Sequence, residues 1–502
     1  MNESKLLADL LALKLQRSSG KALHQQVYEV IRQAIIDGVL APASKIPSSR
    51  SLASSLSLSR TTVSTALDQL FAEGFLFTKQ GDGTYIAELN LTTRSHQQET
   101  SEHSSQANID ISVSSRLGKT PLKGRSIVFN GKSLLPGFVD HSLFPYGLWN
   151  KLCKKHSLQI NEALPQFASG NGYFPLCQSI ARHLAISRGV HVQAEQVFIT
   201  HGASQSVSLI AKVLSEPGDS AWIENPGYPV IAETLEMEGL ELVNTAIDQE
   251  GLCPSREQIE RSSPRLMCTS TSYQFPLGYT MPIRRRLELI NLAESKNCWL
   301  LEDDYDGEFR YKGNPIPAMF GLENNRRTLY MGTFSKTLSL GLRVSFVVVP
   351  QSLVESFQAI YPMFGNFSSI VTQAALTELI SSGQFAKHVS NMRKVYGKRR
   401  RVLENALVGD QSEYHRPFNP GGLHIVAELR SENDELSDSE IMEAISDTHI
   451  SCIPLSFLYR EPAQAKQGFL LGFTSGSEDE ILASVSILQS AVQARGATLA
   501  PL

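Results

Sequence analysis

Apolar side chains recur at helical spacing in ALHQQVYEVIRQAIIDG, where Leu23, Val27, Val30, Ile31 and Ala34 fall on one stripe and Gly38 follows as a stop signal. Two shorter helical patterns come next, PSSRSLASSL and SRTTVSTALDQLFAEG. The second has Ser59 at an N-cap position, directs Val63, Leu67 and Leu70 inward, and leaves polar residues at its outward start. FLFTKQGDGTYIAE then reads as two short strands about a GDG turn, a β-hairpin. Three helices and a hairpin predict a winged helix-turn-helix over residues 15–89. Ahead of it, MNESKLLADLLALKLQ mixes acids and bases among its apolar positions and has no small-residue cleavage site, so it reads as an amphipathic helix rather than a signal peptide.

From about Ile127 the pattern changes. Strand-length apolar runs (QVFITHG, SAWIENP, RLMCTSTS, CWLLEDDY, TLYMGTFSK, RVSFVVVP) alternate with helical ones such as SVSLIAKVLSEPGD and RRRLELINLAESKN. That alternation predicts an α/β domain over residues 126–502, a mostly parallel sheet with helices on both faces. Between the two regions, NLTTRSHQQETSEHSSQAN holds almost no large apolar side chain, so residues 90–125 are expected to be a flexible linker. A length of 502 residues also exceeds what one core normally organises.

Composition narrows the class. With 42% hydrophobic residues and no apolar run long enough to cross a bilayer, no membrane span is expected. Six cysteines stand scattered at 153, 177, 253, 268, 298 and 452 with no CxxC pair, which predicts a reducing cytoplasm and no structural metal. A net charge of −4 makes no global case for nucleic acid, but the local case is good. No acid occurs between Val39 and Leu67, while Lys45, Arg50 and Arg60 stand among serines and threonines. These polar residues open the second helix of the pair, the end that enters the major groove in helix-turn-helix proteins, so double-stranded DNA is the predicted partner.

In a sheet of this kind ligands gather at the carboxyl ends of strands, and three reactive stretches fall there: HGASQS, EDDYDGEFRY and TFSK. A lone lysine at such an end is more often a solvated cation than a nucleophile. A lysine that forms an imine with pyridoxal phosphate needs a carboxylate facing the pyridine nitrogen, an aromatic ring over the cofactor and donors at its phosphate. For Lys336 the chain supplies Asp303, Tyr228, the amides of Ala203, Ser204 and Gln205, Thr333 and Arg343.

The stretch PSSRSLASSLSLSRTTVSTALDQLFAEGFLFTKQGDGTYIA resembles the DNA-binding domain of the GntR family of bacterial regulators. That resemblance implies DNA contacts from Arg50, Ser59, Arg60, Thr61 and Thr62, with Gly83 at the wing tip; Ser64 stands where many relatives carry arginine. THGASQ, ENPGYP, EDDYDGEFRY and GTFSK, in this order, resemble the fold-type I aminotransferases, and more narrowly the MocR or GabR-type branch of GntR regulators. By that likeness Lys336 would bind pyridoxal 5'-phosphate as an aldimine, Asp303 would hold the pyridine nitrogen protonated, Tyr305 would bond the phenolic oxygen and Tyr228 would stack on the ring. Arg343, Thr333, Ser204 and the amides of 203–205 would hold the phosphate; Ser335 and Gln274 would line the site.

The chain also departs from that family. Phe275 replaces an asparagine that contacts the ring, and Phe167 stands where relatives often have a tyrosine reaching the partner subunit's phosphate. Leu470 occupies the position of the arginine that clamps a substrate carboxylate, and Val230 sits near a second such arginine. Arg460 or Arg416 could supply a clamp from elsewhere. The implied protein is a homodimeric, cytoplasmic transcription regulator that reads paired DNA half-sites and has no catalytic residue assigned. It would sense pyridoxal phosphate itself and control vitamin B6 genes. The alternatives are a regulator that answers to an amino acid or amine, and an active aminotransferase that also binds DNA.

Overall fold

The computed structural model describes residues 3–16, 20–79, 81–88, 133–163, 170–313, 316–322, 326–364, 368–408, 421–431 and 436–501. The chain forms two units, Met1–Ile111 and Ser112–Leu502. The linker expected at 90–125, the domain start expected at 126, and the side chains of Phe167 and Arg416 lie outside the described residues.

The first unit runs α1 (Glu3–Lys14), α2 (Leu23–Ile36), β1 (Lys45–Ile46), α3 (Ser49–Leu56), α4 (Arg60–Ala72), β2 (Leu76–Lys79) and β3 (Gly83–Ile86). Its strands pair antiparallel in the order β1-β3-β2, with Leu76 opposite Ile86. Val27, Ile31, Leu52, Val63 and Leu70 form the core on which the three predicted helices converge. Leu7 and Leu11 of α1 are buried in the same core, so this unit begins ahead of the residue 15 expected from sequence. The two leucines lie four residues apart on one helix face and find their apolar partner only in the folded unit.

The second unit carries an eight-stranded sheet. Its strands are β4 (Val197–Thr200), β5 (Ser220–Asn225), β6 (Glu241–Asp248), β7 (Gly251–Leu252), β8 (Leu266–Thr269), β9 (Trp299–Asp304), β10 (Thr328–Thr333) and β11 (Ser345–Val348). They lie in the order β4-β11-β10-β9-β8-β5-β6-β7. β10, β9, β8, β5 and β6 run parallel; β11 is antiparallel to both β10 and β4. Successive side chains of a strand point to opposite faces. Along β10, Tyr330 packs into one apolar cluster while Leu329 and Met331 pack into another. Burial on both faces is why these strands read as unbroken apolar runs.

A second, antiparallel sheet of β12 (His424–Ser431), β13 (Ile453–Pro454), β14 (Gly468–Gly472) and β15 (Ala497–Pro501) follows, in the order β13-β14-β12-β15. The sequence pattern does not separate it from the larger sheet. Helices Gln384–Val408 and Glu478–Gln493 cover it through Tyr396, Leu403, Ile481 and Leu488. Among the described residues no helix is long and apolar enough to cross a membrane.

Candidate functional site

A cavity of about 320 Å³ opens where β4, β9 and β10 end. One part of its wall is built for an anion. Gly202 and Ala203 begin the helix Ala203–Leu214, whose first-turn amides have no intrahelical acceptor. Beside them Arg343 donates from Nη2 to the His201 carbonyl at 3.0 Å. Gly202 has φ +104, and a Cβ there would stand 2.6 Å from Arg343 Nη2, so only glycine lets the guanidinium lie against the helix start. Thr333, Ser335 and Ser345 complete this part, with Ser345 Oγ donating to Thr333 Oγ1 at 2.8 Å.

Lys336 follows β10 and donates from Nζ to the Gly137 carbonyl at 2.8 Å. Burial pushes its pKa down, and the nearby carboxyls of Asp306 and Asp303 act against that shift. Asp303, at the end of β9, is 3% exposed. Burial, then the charges of Asp304 and Glu224, push its pKa up to about 8. Burial disfavours ionisation of Asp304 as well. There the Arg188 guanidinium, 2.6 Å away, and the Tyr330 hydroxyl at 2.7 Å hold the pKa below the usual carboxylate value. Two adjacent carboxyls on one strand are thereby set apart. Asp304 is a paired anion, and Asp303 is a neutral acid awaiting a cation.

Tyr305 Oη is buried without a hydrogen-bond partner, as are both oxygens of Asp306. Burial and then the Asp306 and Asp303 carboxyls raise the tyrosine's pKa well above its ordinary value. Phe275 joins the aromatic wall, with its ring edge-on to Tyr228 at 5.5 Å, Tyr305 at 6.1 Å and His424 at 5.7 Å. His424 donates from Nε2 to the Pro276 carbonyl at 2.9 Å, and burial lowers its pKa to about 4. Leu423, Ile453 and Phe138 close the remaining wall.

Of the site residues expected from sequence, the fold brings Lys336, Asp303, Tyr305, Tyr228, Arg343, Ala203, Thr333 and Ser335 into one cavity wall. Gln274 does not join them. It is fully buried beside the turn, where Nε2 donates to Glu224 Oε2 (3.1 Å) and the Pro226 carbonyl (2.9 Å) and Oε1 accepts from Leu277 (3.1 Å). Ser204 and Gln205 also lie outside the wall; Ser204 is exposed and Gln205 Oε1 accepts from the His201 amide. Gly137, His424 and Ile453 were not foreseen. His424 follows a glycine pair at the start of β12, a turn that signals close packing, whereas nothing local marks Gly137. Among the described residues no group of His, Cys, Asp and Glu could hold a metal ion.

The first unit carries the other candidate surface. Ser59 caps α4, accepting from the Thr62 amide at 3.0 Å, and its hydroxyl also bonds Thr62 Oγ1 at 2.7 Å. Arg50, Arg60 and Thr61 are exposed around that helix start. At the wing, Lys45 pairs with Asp82 at 2.7 Å and lies against Gly83, whose φ is +147. A Cβ on Gly83 would stand 2.7 Å from Lys45 Cε.

An exposed helix start on a winged helix, and a cavity that sets a half-buried lysine beside a helix N-terminus and an arginine, mark a transcription regulator whose large unit has the aminotransferase fold. Residues 23–86 match the family described as bacterial regulatory proteins, gntR family, and residues 150–465 match aminotransferase class I and II. The chain is 33% identical over 490 residues to the probable rhizopine catabolism regulatory protein MocR of Rhizobium meliloti, covering 95% of each. It is 29% identical over 485 residues to the pyridoxine biosynthesis transcriptional regulator PdxR of Corynebacterium glutamicum, covering 96% of this chain and 99% of that one. In fold the chain is similar to the α-aminoadipate aminotransferase LysN of Thermus thermophilus. The TM-score is 0.66 at 22% identity, over 76% of this chain and 97% of that one. The chain belongs to the MocR-type regulators, the branch of the GntR family in which a winged helix is joined to an aminotransferase-like domain.

Proposed function

We propose that this regulator takes up pyridoxal 5'-phosphate in the cavity around Lys336, and that occupancy of the cavity changes how its winged helices engage DNA. One observation carries the reading. A half-buried lysine amine, a neutral buried carboxylic acid, an unpartnered tyrosine hydroxyl and a helix start with free amides line a single cavity. Each matches one part of the cofactor. When bound, the cofactor would supply an electrophilic aldehyde conjugated to a pyridinium ring. Arg343, Thr333 and the amides at Ala203 would hold the phosphate, and Ser335 lies in the same part of the wall. Asp303 would give up its proton to the ring nitrogen and remain as the paired anion. Tyr305 would donate its free hydroxyl to the phenolic oxygen, Tyr228 would cover the ring, and Lys336 would offer its amine to the aldehyde carbon.

The likeness to PdxR supports the cofactor itself as the signal and vitamin B6 genes as the target. The protein would act in the cytoplasm as a homodimer, each copy placing one α4 in a half-site of double-stranded DNA. It would work as a sensor and not as an enzyme. Leu470 is buried among Leu277, Val426 and Tyr459, and Arg460 is held by Glu236 at 2.5 Å, so neither offers a carboxylate clamp. The test is a titration with pyridoxal phosphate followed by absorbance, repeated with Lys336→Ala. A lysine-bound chromophore in the parent and none in the variant supports the reading; no chromophore in the parent overturns it.

A further inference from the structure

We infer that the site discriminates its second ligand by the absence of a carboxylate: beside the bound cofactor it admits primary amines with an apolar body and rejects α-amino acids. This rests on the reading that pyridoxal phosphate fills the cavity. Among the described residues, Lys336 and Arg343 are the only basic side chains in the wall apart from His424. Arg343 lies against Gly202 at the helix start, where the cofactor's phosphate would be held, and Lys336 is the group that meets the aldehyde. His424 is neutral, with a proton fixed toward the Pro276 carbonyl.

Among the described residues, four other arginines of the large unit are already committed. Arg460 pairs with Glu236, Arg399 with Asp140 and Arg188 with Asp304. Arg400 pairs with Glu404 and donates to the Gly421 carbonyl. The wall left over is Phe138, Phe275, Leu423 and Ile453, backed by Leu470, which lies opposite Ile453 in the small sheet. A carboxylate placed there would be desolvated with no cation among the described wall residues. An apolar amine meets none of these costs. Its nitrogen would replace that of Lys336 on the aldehyde carbon. One carbon–nitrogen double bond would form as the other breaks, and the incoming amine's two N–H hydrogens would pass to the Lys336 nitrogen, which leaves as a free amine.

The experiment uses the full chain loaded with pyridoxal phosphate and compares matched pairs: 2-phenylethylamine against L-phenylalanine, and pentylamine against L-norleucine. Displacement of Lys336 is read from the absorbance change. It is confirmed by borohydride reduction and mass spectrometry, which reports whether the cofactor is fixed to Lys336 or to the added amine. The expected result is half-displacement by each amine at a concentration at least about 100-fold below that of its amino acid. Ile453→Arg, with Leu470→Arg as a second variant, should narrow the gap by about 10-fold or more by supplying a guanidinium clamp. Equal displacement within a pair, preference for the amino acid, or no displacement by either would overturn the inference while leaving cofactor binding intact. Failure to load pyridoxal phosphate at all would instead overturn the reading on which it rests.

Discussion

The Lys336 amine donates to the backbone carbonyl of Gly137, 199 residues earlier in the chain, at 2.8 Å. Gly137 has φ +84, and a Cβ there would stand 3.0 Å from Lys336 Nζ. The loop ahead of the helix Tyr146–Leu158 therefore aims the amine, and it needs a residue without a side chain to do so. Gly137→Ala should lower pyridoxal phosphate affinity by about 10-fold, because a left-handed alanine strains the loop by about 1 kcal/mol and crowds the amine. Absorbance titration measures the loss. An unchanged titration would mean that the loop does not position Lys336.

Asp303 makes the cofactor-free protein sensitive to pH. The folded chain keeps a proton on Asp303 up to about pH 8, whereas the unfolded chain releases it near its ordinary value of 3.8. Between those values the folded state binds more protons, so rising pH favours unfolding, and the penalty stops growing above about pH 8. Asp303→Asn removes the titrating group and its clash with Asp304 and Glu224. It should stabilise the cofactor-free protein by about 1–3 kcal/mol at pH 8 and by less at pH 5, while abolishing tight cofactor binding. Thermal denaturation at the two pH values measures the first effect. A variant equally stable or less stable than the parent at pH 8 would refute it.

How much of this was legible in the sequence depended on whether the signal was local. Ser59 as the cap of α4, the hairpin about Gly81–Gly83 and the parallel strands ending at Thr200, Asp304 and Thr333 each follow from a stretch of fewer than a dozen residues. Lys336, Asp303, Tyr228 and Arg343 were readable because each stands at or near a strand end or helix start of the large unit. Gly137 and Ile453 were not, because they reach the cavity from the chain before the large sheet and from the small antiparallel sheet. Gln274 misled for a related reason. The family likeness put it in the wall, but its amide is used up by the backbone of the turn and by Glu224. Leu7 and Leu11 gave a helical pattern whose partner could not be seen until α1 was packed.

The residues of α3 and α4 proposed to face DNA divide into two roles with different signatures. Arg50 and Arg60 are exposed and in no ion pair among the described residues, which suits phosphate contacts. Arg60→Ala should weaken binding to any duplex by about 10-fold and reduce the slope of log affinity against log salt by about 1. Ser59→Ala should instead cost the first unit about 1 kcal/mol through loss of the cap and should leave the salt slope unchanged. Fluorescence anisotropy over a salt series, paired with thermal denaturation, separates the two. A salt slope that Arg60→Ala does not change would remove the residue from the interface.

Arg188 and Asp304 form a buried ion pair, 7% and 1% exposed at their side chains, and Glu308 lies 3.6 Å from the same guanidinium. The pair lets Asp304 stay ionised beside Asp303. Arg188→Met should destabilise the large unit by about 3–5 kcal/mol, because the buried Asp304 carboxylate loses its cation and Glu308 one of its three basic partners, while the protein gains only apolar contact. Adding Asp304→Asn should recover part of that loss, since the amide can still accept from Tyr330 and no longer needs a counter-charge. If the pair acts only locally, the double variant should bind pyridoxal phosphate much as the parent does. If the Asp304 charge sets the proton on Asp303, cofactor affinity should fall in the double variant at neutral pH, because Asp303 loses the neighbouring charge that keeps it protonated and has less proton to hand to the ring nitrogen. The Asp304 charge, second only to burial in raising the pKa of Asp303, favours the second outcome. A double-mutant cycle measured by urea denaturation and cofactor titration decides it.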